Sequence, residues 1–362
     1  MAVKKEKQEK MALVDAEQIT LLEKLSNASG VTGDEGAVRK IVKEEIEAYV
    51  DELKIDSIGN LLAVKKAKKK DALKVLITAH MDEVGFMIVD DGEDGMYRFD
   101  VVGGIDDRSV PGKAVWVGKE LIPGVIGTIP PHSVSAEDRL QPIKLSALRI
   151  DVGLENNKKI SRGDRAVFAT KFQRLGDTLL GKAFDDRIGV ATLISLLKNP
   201  PDGIELTAGF TVQEEIGLRG AKVAAYAVNP DVAIALDSTP ANDLPMWDES
   251  ENTTYNTRLG HGPALYIADR MTLSDPRLVN HFIDTAEKNN IPYQLRQPGG
   301  GGTDAGLMHL QREGIPAMSI SIPGRYIHTA RMMVNISDWG NCARLLHMAL
   351  SNLKPSLFDV PR

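Results

Sequence analysis

Lys74–Gly85, KVLITAHMDEVG, is the stretch from which the rest of the chain can be read. An unbroken apolar run with β-branched residues, bounded by charge on one side and Gly on the other, has the pattern of a buried strand. The run stops at His80, with Asp82 two residues on. In open parallel sheets ligands bind beyond the carboxyl ends of the strands, so a His and an Asp there form a candidate site. Taken alone the pair means little, because a histidine at the edge of a core beside a carboxylate is the commoner arrangement. What matters is whether other strands end the same way.

Upstream, apolar residues fall at helical spacing over 15–25 and again over 35–53, where Val38, Ile41, Val42, Ile46 and Val50 form one stripe. Two amphipathic helices are expected. Residues 57–60 separate two short apolar stretches and read as a hairpin turn, and the lysine-rich run at 65–71 reads as a solvated loop. From Phe86 to Leu180 the texture changes. Short runs such as FMIV, YRFDVV, AVWV, VIGTI, LRIDV and RAVFA alternate with Gly, Pro and Asp, the pattern of a compact all-β barrel or sandwich. The expected organisation is α/β: a discontinuous domain of residues 1–85 and 177–362, with a mixed, largely parallel sheet flanked by helices, and an inserted barrel-like β-domain at 86–176. A module so placed can wall a pocket or mediate oligomerisation.

After Gly181 helix and strand alternate again. Asp185 and Asp186 precede the apolar helical stretch RIGVATLISLLK, GIELTAGFTVQ runs into Glu214 and Glu215, and DVAIAL runs into Asp237. A helix at 274–290, a strand PYQLRQ, a glycine turn at 299–302 and a short helix capped by Thr303 follow. AMSISI then leads through a loop to His328, and a helix at 337–353 closes the chain with Cys342 and His347 in packing positions.

Composition narrows the function classes. Apolar content of 43% and charged content of 26% are those of a soluble globular protein, and 362 residues suggest two domains or one enlarged domain. A net charge of -6 gives no reason to expect nucleic acid or an anionic membrane as partner. Cys342 is the single cysteine, which excludes an intrachain disulfide and a thiolate metal site. The first dozen residues are charged but lack the apolar core of a signal peptide, and no window reaches the ~18 consecutive apolar residues of a membrane helix. A cytoplasmic protein with a solvated lead-in is expected, and Met11 is an alternative start.

Separate apolar runs thus end in His80, in Glu214 and Glu215, in Asp237 and in the loop of His328, while a helix start supplies Asp185 and Asp186. Parallel strands alternating with helices bring their carboxyl ends to one edge of a sheet, where these residues should converge. Any one of these carboxylates is an ordinary cap. Two imidazoles and several carboxylates without sulfur suit zinc, cobalt or manganese, and a carboxylate can bridge two ions. Neighbours on extended chain point to opposite sides, so Glu214 and Glu215 divide the work: one binds metal, and the other moves the proton of the attacking water. Asp82 stands where it can orient His80.

At these residues the sequence resembles a known family, the glutamyl, deblocking and tetrahedral TET aminopeptidases of the co-catalytic metallopeptidases. AHMDEVGFM at 79–87, KAFDDRIG at 182–189, VQEEIGLRGA at 212–221, ALDSTP at 235–240, GGTDAG at 301–306 and RYIHT at 325–329 carry the likeness over nearly the whole chain. The resemblance implies two divalent ions bridged by Asp185, one completed by His80 and Asp237 and the other by Glu215 and His328. It further implies Glu214 as catalytic base, Asp82 as a catalytic companion behind His80, and removal of N-terminal residues from short peptides. Asp186 stands where the family often has Asn, which implies that it is not the bridge. The β-insertion resembles a dimerisation domain whose dimers assemble into a dodecamer. Two rivals are a glycosidase of the endoglucanase type, which needs two opposed carboxyls and no histidine, and a non-catalytic, metal-stabilised peptide-binding protein.

Overall fold

A computed structural model describes residues 14–69, 71–137, 141, 143–246, 248–253, 256–296 and 299–362; the expectation for the first dozen residues lies outside them. Helix α1, Ala16–Asn27, starts where Asp15 accepts from the Gln18 amide and the Gln18 side chain accepts from the Asp15 amide, a capping box. Helix α2, Gly36–Ile46, buries Val38, Val42 and Ile46. It ends well before residue 53, because Glu52–Ile55 is strand β1, paired antiparallel with β2, Leu61–Lys65, across the turn at 57–60. Strand β3, Leu73–His80, is buried from Val75 onward and stops at His80.

Seven short strands follow: β4 Gly85–Ile88, β5 Met96–Tyr97, β6 Phe99–Val102, β7 Ala114–Val117, β8 Ile122–Gly127, β9 Arg149–Asp151 and β10 Arg165–Phe168. They form one antiparallel sheet in the order β5-β9-β8-β7-β10-β4-β6. The two edge strands, β5 and β6, are separated only by Arg98 in the chain, so the sheet nearly closes into a barrel. Phe86 fills it, packing edge to face on Phe99 and Phe168 with both centroids at 5.2 Å.

The chain then returns through β11 Gln173–Leu175, β12 Thr178–Gly181, α3 Phe184–Lys198, β13 Ile204–Thr211, α4 Arg219–Val228, β14 Val232–Pro240 and β15 Ala264–Tyr266. The remaining elements are α5 Pro276–Lys288, β16 Gln294–Arg296, α6 Ala305–Met308, β17 Ala317–Arg325, β18 Met332–Asn335 and α7 Ile336–Ser351. These strands join β1–β3 in an 11-stranded mixed sheet, with β13, β3, β14 and β17 parallel at its centre and antiparallel strands on both sides. Strand β11 belongs to this sheet, so the changeover between sheets falls at residues 169–172, and Gly176 occupies the β11–β12 turn at φ 65°. Thr303 does not cap α6: its hydroxyl pairs with Ser319, and Asp304 takes the N-cap position.

Alternation along the central strands separates two cores. Val75 and Ile77 join α1, α2, α3, α5 and α7 in the larger one, whereas Leu76 packs with α4 and α6 on the opposite face. Layers on both faces hold the parallel strands in register, Thr211 opposite His80 and Asp237 opposite Ser321, which brings their carboxyl ends to one edge.

Candidate active site

That edge gathers the sequence-read residues. His80 ends β3, and its Nε2 lies 3.1 Å from Asp185 Oδ1, 3.8 Å from Asp237 Oδ1 and 4.0 Å from Glu214 Oε2. His328, in the loop after β17, has Nε2 at 3.1 Å from Asp185 Oδ2 and 3.3 Å from Glu215 Oε2. Asp185 therefore offers one oxygen to each imidazole. Asp186 faces elsewhere: its carboxylate accepts from the Gly189 amide and from the His80 amide, capping α3 and tying it to β3.

Asp82 is buried, and its carboxylate accepts from the amides of Glu214 at 3.0 Å and Glu215 at 3.2 Å and from the Thr32 hydroxyl at 2.8 Å. His80 Nδ1 is nearer the Asp82 carbonyl oxygen, at 3.2 Å, than its carboxylate, at 3.5 Å. The Asp82 main chain and carboxylate both face the imidazole, and the carboxylate also holds the Glu214–Glu215 turn. From the small sheet, the loop after β6 closes one side. A Cβ at Gly104 would lie 3.2 Å from His328 Nδ1, and one at Gly103, where φ is 89°, would lie 3.3 Å from the Glu215 Cβ. Only glycine lets that backbone approach so near.

Burial is the largest influence on these carboxyl groups. It raises Glu214 and Asp237 well above the usual carboxylate range with help from their acidic neighbours, and it lifts Glu215 to about 7 against the pull of His328. Burial opposes charge on the imidazoles, but the surrounding carboxylates raise His80 and take His328 up to about 9. Asp185, between two imidazoles, is held far below its ordinary value although burial works against it. So many acids packed this closely require positive charge, supplied by protons or by cations.

The donor set fits cations. Ligand atoms around a tetrahedral ion with bonds of about 2.0–2.1 Å stand about 3.3 Å apart, close to the 3.1 and 3.3 Å that separate His328 Nε2 from Asp185 and Glu215. Three groups meet the geometric requirement among the described residues: His80, Asp185 and Asp237; His80, Glu214 and Glu215; Asp185, Glu215 and His328.

Several buried groups beside the site stand within the quoted motifs, but the sequence assigns them no role. Asp304 accepts from the Thr211 hydroxyl at the end of β13. Glu83 receives Lys182 and Arg187 at 2.8 and 3.1 Å. Charged residues whose partners lie about a hundred positions away look like surface residues in sequence.

Fold and site together are those of an aminopeptidase, a hydrolase acting on peptides. The chain belongs to the M42 glutamyl aminopeptidase family, whose model matches residues 59–345. It is 32% identical to the glutamyl aminopeptidase of Lactococcus lactis, over 91% of this chain and 94% of that one. An aminopeptidase of the archaeon Desulfurococcus kamchatkensis superposes with a TM-score of 0.88 at 36% identity, covering 94% and 96% of the two chains. The TET1 peptidase of Pyrococcus horikoshii, described as assembling into a tetrahedron or a large octahedral shell, gives 0.81 at 32% identity, over 93% and 100%.

Proposed function

We propose that the chain removes single residues from the N-termini of short peptides with two divalent ions, zinc or cobalt in the first place and manganese as a further candidate. His80 and Asp237 would hold one ion, Glu215 and His328 the other, and Asp185 both. The observation that carries this reading is the split of Asp185, with each oxygen 3.1 Å from a different imidazole. Bound there, the ions would polarise the scissile carbonyl and acidify a water.

Glu214 takes the proton of the attacking water and returns it to the departing amine. Its burial among acids, which raises its proton affinity, suits that task. Asp82 fixes Glu214 by its amide, and the surplus of carboxylates suits a substrate with a free ammonium group. The glycosidase reading needs two opposed carboxyls without imidazoles, whereas here the acids converge on two histidines. The buried Cys342 thiol fits action in a reducing cytoplasm, and the small sheet is the proposed dimer surface, with the assembled TET1 relative supporting a dodecamer. Among the described residues no helix is long and apolar enough to cross a membrane.

Glu214→Gln tests the mechanism. It should keep both ions yet lose turnover by about 10²–10⁴-fold, the usual worth of a positioned base. Wild-type turnover in that variant would remove Glu214 from the reaction, and peptide hydrolysis that survives exhaustive chelation would remove the ions.

A further inference from the structure

Glu83, Lys182 and Arg187 are charged side chains almost without solvent contact: Glu83 and Lys182 are each 3% exposed and Arg187 0%. Their place in the chain is specific. Glu83 lies three residues beyond His80, and Lys182 and Arg187 bracket Asp185 on either side. The Lys182 ammonium donates to both Glu83 oxygens at 2.8 Å, Arg187 Nη2 lies 3.1 Å from Glu83 Oε1, and Arg187 Nε donates to the Met81 carbonyl at 2.9 Å. Both ends of the Asp185 turn are thereby tied to the Met81–Glu83 turn.

The same groups fasten the last turn of α1 and the segment after it. Arg187 Nη1 donates to the Leu25 carbonyl at 2.7 Å, Lys182 donates to the Ala28 carbonyl at 2.8 Å, and the Gly30 amide donates to Glu83 at 3.1 Å. Two residues on, Thr32 donates to Asp82, which holds Glu214 and Glu215. A cavity of about 20 Å³, lined by Glu83, Lys182, Asp185, Glu215 and His328 among others, separates these charges from the site and has room for one water.

Burying charges is a costly way to obtain stability, and apolar side chains of similar volume often do it as well. What ionic contacts add is fixed direction and distance. We infer that Glu83, Lys182 and Arg187 form a buried clamp that sets the separation of the His80 turn from the Asp185 turn, which makes them positioning residues for the metal pair. This rests on the two-ion reading above. Lys182 and Arg187 also keep Glu83 engaged, so that it does not compete as a ligand.

The experiment titrates the metal-stripped full chain with cobalt, following affinity and the visible absorption of the bound ion, in the wild type, in Glu83→Gln and in the apolar triple variant Glu83→Leu/Lys182→Met/Arg187→Met, which removes all three buried charges together. Orienting groups of this kind commonly contribute about 10–100-fold to metal affinity. Glu83→Gln should lose at least about tenfold in affinity, shift the cobalt spectrum, and lose kcat at saturating cobalt with KM little changed. The triple variant should recover melting temperature by packing but not affinity or spectrum. Wild-type cobalt affinity and spectrum in Glu83→Gln, or their recovery together with stability in the triple variant, would overturn the clamp alone. A wild type that binds no cobalt would overturn the two-ion reading, and the clamp with it.

Discussion

Asp185 and its two neighbours across the ion site, Glu215 and His328, determine how the site responds to pH. Burial first, and then the nearby Asp185 charge, lifts Glu215 to about 7, and the carboxylates facing His328 outweigh its burial and lift it to about 9. A ligand must be unprotonated to bind a cation. At the ion held by Glu215 and His328, a cation has to displace protons from both groups below about pH 7 and, of these two, only from His328 between about 7 and 9. The raised His80 and Asp237 add protons at the other ion. Affinity of the stripped protein for zinc or cobalt should therefore rise with pH, by about tenfold per unit for each proton displaced. Calorimetric titrations in buffers of different protonation enthalpy count those protons, and a pH-independent affinity without proton release would take both residues out of the ligand set. His80, Glu214, Glu215 and Asp237 could be picked out in sequence because each follows a recognisable apolar run. Asp82 is expected from the sequence to orient His80, but its hold on the Glu214–Glu215 turn is not legible there: the three donors on its carboxylate come from residues 32, 214 and 215, which only folding brings together.

Elements were legible where one side of the pattern is buried and obscure where pairing decides. Central strands β3, β13, β14 and β17 read clearly because both their faces are covered. Helix α2 was read too long because β1 is mostly exposed, with an alternation imposed by its partner β2 and not by a core. The turn from β13 to α4, which carries Glu214 and Glu215, shows how closely an element can be set. The Gly220 amide donates to the Val212 carbonyl at 3.0 Å, and the Asn60 side chain bridges the Gly220 carbonyl and the Val212 amide at 3.0 Å each. A Cβ at Gly220 would press on the Val212 carbonyl and on Asn60 Oδ1 and come within 2.6 Å of the Val212 nitrogen. Gly220→Ala should cost about 1–3 kcal/mol, as overpacking does, and lower kcat as the turn moves. Thermal melts and kinetics check both, and an unchanged melt with unchanged turnover would show that the turn tolerates displacement.

On the scale of the whole molecule, the proposed ligands come from positions 80, 185, 215, 237 and 328, so bound ions would join the two halves of the large sheet across the inserted one. Ions that bind only the folded chain stabilise it by mass action, about 2.7 kcal/mol per site at a hundred times the dissociation constant. Unfolding entropy grows with size at about 2 cal/mol/K per residue. For 362 residues one site should then raise the melting temperature by about 3–4 °C and two sites by about 7 °C. Calorimetric scans of the chelated protein, repeated after zinc or cobalt is restored, read this directly. His328→Ala should regain only one of the two increments, because the ion held by His80 and Asp237 keeps its ligands. A chelated protein that melts at the same temperature with and without added metal would mean that no cation holds these five segments together.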